Sequence, residues 1–374
     1  MRGPRVSLSA EQGAGAEARR VMTICNACRY CEGLCAVFPA MERLAVFSDP
    51  DLRYLGNLCH DCRECFYACP FTPPHDFDLN VPRVFAELRR ETYERHTKPA
   101  VLGRAYRRNG LAVALAAGVG AVLVPLLALV WSDPGVLRSA STGAGAFYEV
   151  VPMPLMVGPA LVLMIFACVV LLAAGAGFWR EIGGCASVSL KSLGVATVDA
   201  LRLTYLGGGG SGCSYPEEGL SMWRRRLHHL VFWGFALDLA ATTVAAFYEH
   251  ALDRIAPYPL WSLPVVLGTA GGLLLALGTT GLLWLKRRSD AIPTDEGTVG
   301  MDVAFLALLW ATSVSGLLLL ALRETAWMPT LLLVHLGVVA GFFLTLPFGK
   351  FAHAVHRYLA LVRHAVEEAA DEAG

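Results

Sequence analysis

The chain has 374 residues, of which 55% are hydrophobic and only 17% are charged, with 31 basic and 31 acidic side chains. Soluble domains usually carry about 25% charged residues, so this composition predicts an integral membrane protein. The balanced charge argues against a general nucleic-acid-binding role, which needs an excess of Lys and Arg. The first 20 residues contain no apolar core, so no secretory signal peptide is expected.

Residues 1–108 hold 16 of the 31 basic residues and no long apolar run, which predicts a water-exposed N-terminal domain. Eight of the 11 cysteines lie in this domain, in two C-x2-C-x2-C-x3-C motifs. The first motif is Cys25, Cys28, Cys31 and Cys35, and the second is Cys59, Cys62, Cys65 and Cys69. This distribution is typical of metal sites and not of a secreted disulfide framework.

Both motifs have the spacing of proteins that hold two [4Fe–4S] clusters. In such proteins three closely spaced thiolates bind one cubane, and the fourth ligand comes from the other motif because the chain turns away. One cluster is therefore assigned to Cys25, Cys28, Cys31 and Cys69, and the other to Cys59, Cys62, Cys65 and Cys35. Swapped ligation of this kind brings the clusters close enough for an electron to pass between them.

Two other uses of the cysteines are weaker alternatives. Zinc sites usually take two C-x2-C pairs separated by a gap, not four cysteines in eleven residues twice. Disulfides are disfavoured because the predicted compartment is reducing. Cys35 is followed by Ala36, whereas Cys69 is followed by the usual Pro70, so a more open turn is expected after Cys35.

From residue 109 onward, six apolar runs each approach the ~20 residues that a helix needs to cross a bilayer. These runs are residues 109–131, 157–179, 228–248, 263–285, 303–322 and 329–348. The connections 180–227 and 286–300 and the segment after Lys350 are richer in Lys and Arg than the others. By the positive-inside rule, the head, these loops and both termini should face the cytoplasm from the inner membrane.

The predicted fold class is an α-helical membrane protein. An N-terminal α-helical ferredoxin-like double [4Fe–4S] domain (1–108) precedes a six-helix transmembrane bundle (109–350), and a cytoplasmic amphipathic tail (351–374) follows. The tail is expected to be a helical extension of the last span whose acidic end frays. No output domain is evident after residue 350.

The loop 180–227 contains Gly207, Gly209 and Gly212, which formally satisfy G-x-G-x-x-G. A dinucleotide site also needs a complete βαβ unit, so nucleotide binding is not expected here. The glycines instead let the backbone approach a cluster, a haem edge or a partner closely. The flanking thiols of Cys185 and Cys213 are interpreted as ordinary free cysteines.

Asp238 lies in the middle of the third apolar run, where an ionised carboxylate costs about 3 kcal/mol. A carboxyl at this depth should be protonated or hydrogen-bonded. We favour a neutral side chain bonded to Thr242 or to a neighbouring helix. Proton delivery to a reduced quinone is the alternative.

Four histidines lie near the ends of two predicted spans and are candidate haem ligands. His229 and His250 mark the ends of the third span, and His335 and His353 mark those of the last. Antiparallel packing would pair His229 with His353 inside and His250 with His335 outside, as bis-His haem b requires. His335 lies within an apolar run, where ionisable residues are usually functional. One haem b or two are expected, and two further histidines are alternative inner ligands, His228 and His356.

The chain resembles the citrate/tricarballylate-utilisation protein B family over nearly its full length. The resemblance is carried by the cysteine motifs and by LRLTYLGGGGSGCSYPEE, RRRLHH, YEHALDRIAPYPLWSLPVVLGTAGG and VHLGVVAGFFLTLPFGKFAH. It implies an electron-transfer partner of a separate FAD-dependent dehydrogenase that oxidises tricarballylate to cis-aconitate. This chain would reoxidise the reduced flavin and pass the electrons to membrane quinone. The last span also resembles haem-binding subunits of the nitrate-reductase gamma type.

We therefore expect an oxidoreductase-type electron-transfer protein with no substrate site of its own. Electrons would enter from a flavoprotein dehydrogenase docked on the cytoplasmic side, and quinone would be the acceptor. One alternative is the membrane anchor of another dehydrogenase or of a heterodisulfide-reductase-like complex. A more remote alternative is a non-enzymatic iron–sulfur redox sensor, which would be expected to carry an output domain.

Overall fold

The structure is a computed structural model that describes residues 13–372, except residues 132, 134 and 185–187. Cys185 therefore lies outside the described residues. The regular structure of the described part is α-helical apart from one small hairpin, β1 (Cys213–Ser214) antiparallel to β2 (Leu220–Ser221). This confirms the predicted fold class of a helical head followed by long apolar helices.

The head consists of five helices around one apolar core. They are α1 (Ala14–Cys28), α2 (Val37–Glu42), α3 (Asp49–Leu58), α4 (Glu64–Tyr67) and α5 (Val81–His96). Ser48 begins α3 with a capping box, in which its side chain and that of Asp51 each accept from the other residue's backbone N–H. Helices α1 and α3 both pack against α5, and side chains such as Leu55 and Phe85 are fully buried between them. The core fixes the loops that carry the cysteines.

The membrane part contains six helices that are long and apolar enough to span a bilayer, as predicted. After α6 (Ala100–Gly103) and a 3-10 turn (Arg104–Arg108), the long helices are α7 (Asn109–Trp131), α9 (Met153–Glu181), α11 (Trp223–Leu252), α12 (Leu263–Arg287), α13 (Glu296–Leu322) and α14 (Met328–Thr345). The shorter elements among them are α8 (Ala146–Val150), α10 (Leu190–Arg202) and the 3-10 turns Val136–Arg138, Thr204–Gly210 and Leu346–Phe348. Outward-facing side chains such as Leu115 and Leu172 are more than half exposed, as suits a lipid-facing surface.

Glycines allow close contact between long helices. A Cβ on Gly120 of α7 would lie 2.5 Å from the carbonyl oxygen of Gly337 on α14, and one on Gly341 would lie 2.7 Å from Ala117 Cα. The pair Gly337 and Gly341 forms a GxxxG pattern, which permits direct backbone packing in membranes. Helix α14 is therefore held close against α7.

The C-terminal helix α15 (Ala352–Asp371) packs on the head. Arg363 donates to the carbonyl oxygen of Ile182 at 2.6 Å and lies over the Tyr54 ring at 4.0 Å. Near the helix end, Asp371 forms an ion pair with Arg43 at 2.6 Å. The predicted fraying of the acidic end is thus not observed over the described residues, because the head supplies basic and aromatic partners.

The head also contacts the ends of the membrane helices. Arg63 donates to Ser289 Oγ at 2.6 Å and to Thr294 Oγ1 at 2.9 Å, in the loop between α12 and α13. Arg53 forms an ion pair at 2.9 Å with Glu181, the last residue of α9. The head, the loops after α9 and α12, and α15 consequently lie at the same end of the helices.

Candidate metal centres

The eight motif cysteines form two groups of four. The first group is Cys25, Cys28, Cys31 and Cys69, and the second is Cys35, Cys59, Cys62 and Cys65. Within the first group, charge on each of the other three thiols raises the pKa of Cys25. In the second, burial raises the pKa of Cys65, and charge on Cys62, Cys35 and Cys59, with a smaller effect of Cys31, adds to it. The fourth cysteine of each motif thus lies beside the first three of the other, as swapped ligation requires.

The electrostatics of the first group favour a bound cation. Burial raises the pKa of Cys25 and of Cys31 to about 12 each, and neighbouring thiolate charges add to the shift. Several thiolates can therefore coexist there only if a metal compensates their charge. Among the described residues, no three His, Cys, Asp or Glu side chains converge as ligands of a single ion. A cubane attaches each thiolate to a different iron, so a cluster would not need three thiolates to meet at one ion.

The two motifs share a local backbone geometry. The residue after the second cysteine is left-handed in both, with φ of 55° at Arg29 and 66° at Arg63. Backbone N–H groups also point at cysteine sulfurs, from Asp61 to Cys59 Sγ at 3.4 Å and from Phe71 to Cys69 Sγ at 3.4 Å. Such donors stabilise thiolates. Both loops therefore share a left-handed turn, and the second motif also has N–H donors directed at two of its sulfurs.

The glycine loop packs directly on both motifs. Gly208 and Gly209 have positive φ values of 46° and 55°. A Cβ on Gly209 would lie 3.2 Å from the carbonyl oxygen of Gly33, and one on Gly208 would collide with the carboxylate of Glu64. Helix α10 precedes the loop and the two-residue strand β1 follows, so these elements do not form the βαβ unit of a dinucleotide site.

Cys213 is a free thiol, as expected, and it packs in one buried cluster with Cys62. It is fully buried, and its thiol donates to the carbonyl oxygen of Leu206 at 2.7 Å. Sequence spacing could not reveal this contact, because the two cysteines are far apart in the chain. The glycine loop that carries Cys213 thus closes over the second cysteine group.

One pair of imidazoles meets where α11 begins and α15 begins. The rings of His228 and His353 lie 6.3 Å apart between centroids, with an interplanar angle of 79°. Two imidazoles that bind one metal through ring nitrogens have centroids roughly 6 Å apart. His353 Nδ1 is 2.5 Å from the carbonyl oxygen of Lys350, which leaves its Nε2 available as a ligand, and the buried His228 Nδ1 has no hydrogen-bond partner among the described residues. This pair has the spacing of a bis-His site.

The other histidine candidates have different surroundings. His229 Nε2 contacts the carbonyl oxygen of Arg202 at 3.1 Å. The His229 ring therefore points in a different direction from the His228 ring, which faces His353. His335 Nδ1 is 2.9 Å from Ser315 Oγ on α13. His250 is exposed, and its Nδ1 contacts the carbonyl oxygen of Ala246 in its own helix. The structure therefore gives no ring contact between His250 and His335 within its described part.

Two further sequence candidates can be located. His356 is fully buried and forms a second imidazole pair with His96 at 6.1 Å between centroids. Here His96 Nε2 is 2.5 Å from the Glu181 carboxylate, and the rings pack with Tyr93 and Phe178 in an aromatic core. Thr242 Oγ1 donates to the backbone carbonyl of Asp238 at 3.0 Å. Within the described residues, the expected bond from Thr242 to the Asp238 carboxyl is thus absent. The Thr242 hydroxyl donates to a backbone carbonyl of its own helix instead.

Comparison with known proteins gives a consistent result. The model of "Citrate utilization protein B" matches residues 104–374, and that of the "Citrate utilization protein B Fer4-like domain" matches residues 18–95. A "Citrate utilization protein B" of Escherichia coli is 44% identical over 354 residues, which cover 94% of this chain and 92% of the relative. No solved structure matches. The chain belongs to the citrate utilization protein B family.

Proposed function

We propose that this membrane protein reoxidises a reduced flavoprotein dehydrogenase and delivers the electrons to the quinone pool. The observation that carries the proposal is the juxtaposition of two four-cysteine groups with the His228–His353 pair. Family membership and the Fer4-like match over residues 18–95 support iron–sulfur electron transfer. The dehydrogenase is the tricarballylate enzyme that the family resemblance implies.

The residues suit these cofactors in chemical terms. The two cysteine groups would hold two [4Fe–4S] clusters, which pass electrons singly and so divide the two-electron load of a flavin. His228 and His353 would hold a haem b between α11 and α15. A second haem at His250 and His335 rests on the sequence pattern alone. Cys31, Cys59 and Cys62 are buried, and the backbone N–H groups at Cys59 and Cys69 would stabilise thiolate ligands.

The side on which the flavoprotein docks follows from exposure and charge. Cys28 is exposed and Tyr30 is 69% exposed, so the first motif lies at the surface of the head. The connections at the head end carry most of the loop Lys and Arg residues, which favours a cytoplasmic head and cytoplasmic termini in an inner membrane. The flavoprotein would thus dock from the cytoplasm.

A spectrum of the detergent-purified protein tests the cofactor set. We expect a broad band near ~400 nm that dithionite bleaches, sharp reduced haem bands, and about eight non-haem irons per chain. Absence of non-haem iron would contradict the electron-transfer proposal. Eight irons without haem would remove the haem and leave direct transfer from a cluster to quinone.

A matched pair of neighbouring variants tests the haem ligands. His228→Ala and His353→Ala should each lose bound haem, because each removes one of two facing imidazoles. His229→Ala should retain the haem, since this ring contacts the carbonyl oxygen of Arg202 instead. The measurement is the haem-to-protein ratio at constant iron content. Haem loss in His229→Ala with retention in His228→Ala would reverse the assignment.

A further inference from the structure

Two half-buried arginines link the second cysteine motif to the candidate haem pair. Arg224 precedes His228 by four residues on α11, and Arg357 follows His353 by four residues on α15. Residues four apart lie on the same face of a helix, one turn from each other. Each helix therefore presents one imidazole and one guanidinium on a shared face.

Both guanidinium groups bind the backbone around the second motif. Arg357 donates to the carbonyl oxygens of Cys59 at 2.8 Å and Asn57 at 3.4 Å. Arg224 donates to the carbonyl oxygen of Asp61, and its Nη2 lies 3.6 Å from the Asp61 carboxylate. These bonds attach the loop that carries Cys59 and Cys62 to α11 and α15.

The same arginines are close to the imidazoles. The charges of Arg224 and Arg357 both act on His228, and that of Arg357 acts on His353. Both arginines are half-buried, and the Arg224 guanidinium lies over the Tyr215 ring at 4.5 Å. Hydrogen bonds to backbone carbonyls hold a guanidinium in one orientation. The second motif and the imidazole pair are thus rigidly joined through two side chains.

The first group has a different environment. Cys28 is exposed, and the hydrogen bonds that the described residues make to the backbone of Cys25 and Cys69 come from nearby in the head. Charge on Cys31 acts on Cys65, so the two groups are electrostatic neighbours. The first group therefore lies at the surface, and the second lies between it and the imidazoles.

We infer that the cluster of the second group is the exit cluster, and that Arg224 and Arg357 are positioning residues that hold it against the His228–His353 haem. This inference rests on the proposed function. With cofactors bound, Cys59, Cys62, Cys65 and Cys35 would hold the cluster that gives up one electron, and His228 and His353 would hold the ferric haem that takes it. No bond breaks and no proton moves. The flavoprotein supplies the electron, and quinone is the final oxidant.

The order of the clusters is tested with single-cluster variants. Protein reduced by dithionite is mixed with duroquinone, and the cluster and haem absorbances are followed separately. In Cys28→Ser, the remaining second cluster should reoxidise at the wild-type rate. In Cys65→Ser, the remaining first cluster should reoxidise at least about tenfold more slowly, because the second cluster that carries its electrons to the haem is lost. The opposite pattern would overturn the assigned order.

The arginines are tested in protein that keeps both clusters. Arg224→Gln and Arg357→Gln should retain iron and haem, and their haem should reoxidise normally while the clusters lag by about tenfold. Arg357→Lys should restore part of the rate, because an ammonium can still donate to the Cys59 carbonyl oxygen. The matched control is Arg226→Gln, an exposed neighbour whose guanidinium stacks over Trp223 at 5.8 Å.

The outcomes separate this inference from the proposed function. In one outcome, the clusters and the haem reoxidise together at the wild-type rate in both arginine variants. That result would overturn the role of the arginines and leave the electron-transfer function intact. Wild-type protein without clusters would overturn the function itself. A selective cluster lag in either arginine variant, with unchanged iron and haem content and a normal Arg226→Gln control, would support the inference.

Discussion

Asp302 holds together the head-side ends of three membrane helices. Its carboxylate lies 2.7 Å from Lys286 Nζ at the end of α12 and 2.6 Å from Lys350 Nζ just after α14. The three side chains are 17%, 12% and 29% exposed, respectively. Asp302→Asn keeps the shape of the side chain but removes the charge. Two largely buried ammonium groups then face each other without a counter-ion.

The size of the loss follows from burial. Breaking a buried ion pair by removing one partner costs about 3–5 kcal/mol, because the remaining charge is left without compensation. Lys350 retains partial contact with solvent, so its cation can be rehydrated in part. We therefore expect the lower end of the range, a loss of about 3 kcal/mol in the free energy of unfolding. The double variant Asp302→Asn/Lys350→Gln should recover part of it, since one cation remains instead of two.

The assay is equilibrium unfolding in mixed detergent and SDS micelles. The matched control is Asp253→Asn, the same chemical change at an exposed position after α11. We expect the control to change the free energy of unfolding by no more than ~0.5 kcal/mol. Equal losses in Asp302→Asn and Asp253→Asn would refute the reasoning, as would a double variant less stable than Asp302→Asn.

Three further predictions concern packing, docking and electron flow. Gly120→Ala should lower the free energy of unfolding by about 1–3 kcal/mol, because its Cβ would meet the Gly337 carbonyl oxygen. Gly118→Ala on the same helix is the control, since its Cβ meets nothing within 4 Å and should be tolerated. Arg363→Met should lose about 2 kcal/mol and expose α15 to limited proteolysis, since its charge-assisted bonds disappear; an unchanged digestion pattern would contradict this. Cys62→Ser should abolish electron transfer from flavoprotein to quinone while membrane insertion persists, and unchanged quinone reduction would argue against the relay.

The candidate ligands show where sequence reasoning stopped. His228 and His229 are adjacent, and adjacent residues on a helix point about 100° apart. Both lie at the inner end of the third span, so the sequence alone leaves both as candidate haem ligands on that side. In the structure the His228 ring faces His353 whereas His229 contacts Arg202, so packing favours His228 as the candidate.

The contacts of Cys213 and Arg357 show the same limit. Cys213 meets Cys62, and Arg357 binds the carbonyl oxygen of Cys59, across long separations in the chain. Nothing in local spacing marks either residue, although the i, i+4 relation of Arg357 to His353 could have suggested a shared face. The docking of α15 on the head likewise needed the tertiary partner, since its acidic end alone predicted fraying.

The sequence by itself determined the six spans and the division into a helical head and a membrane part. Span length is set by bilayer thickness, and the head is recognised by cysteine spacing, so both are local properties of the chain. Only the tertiary structure decided which imidazole meets which, and which loop covers the second cysteine group. These depend on how helices rotate and pack, and that is settled by contacts between residues distant in sequence.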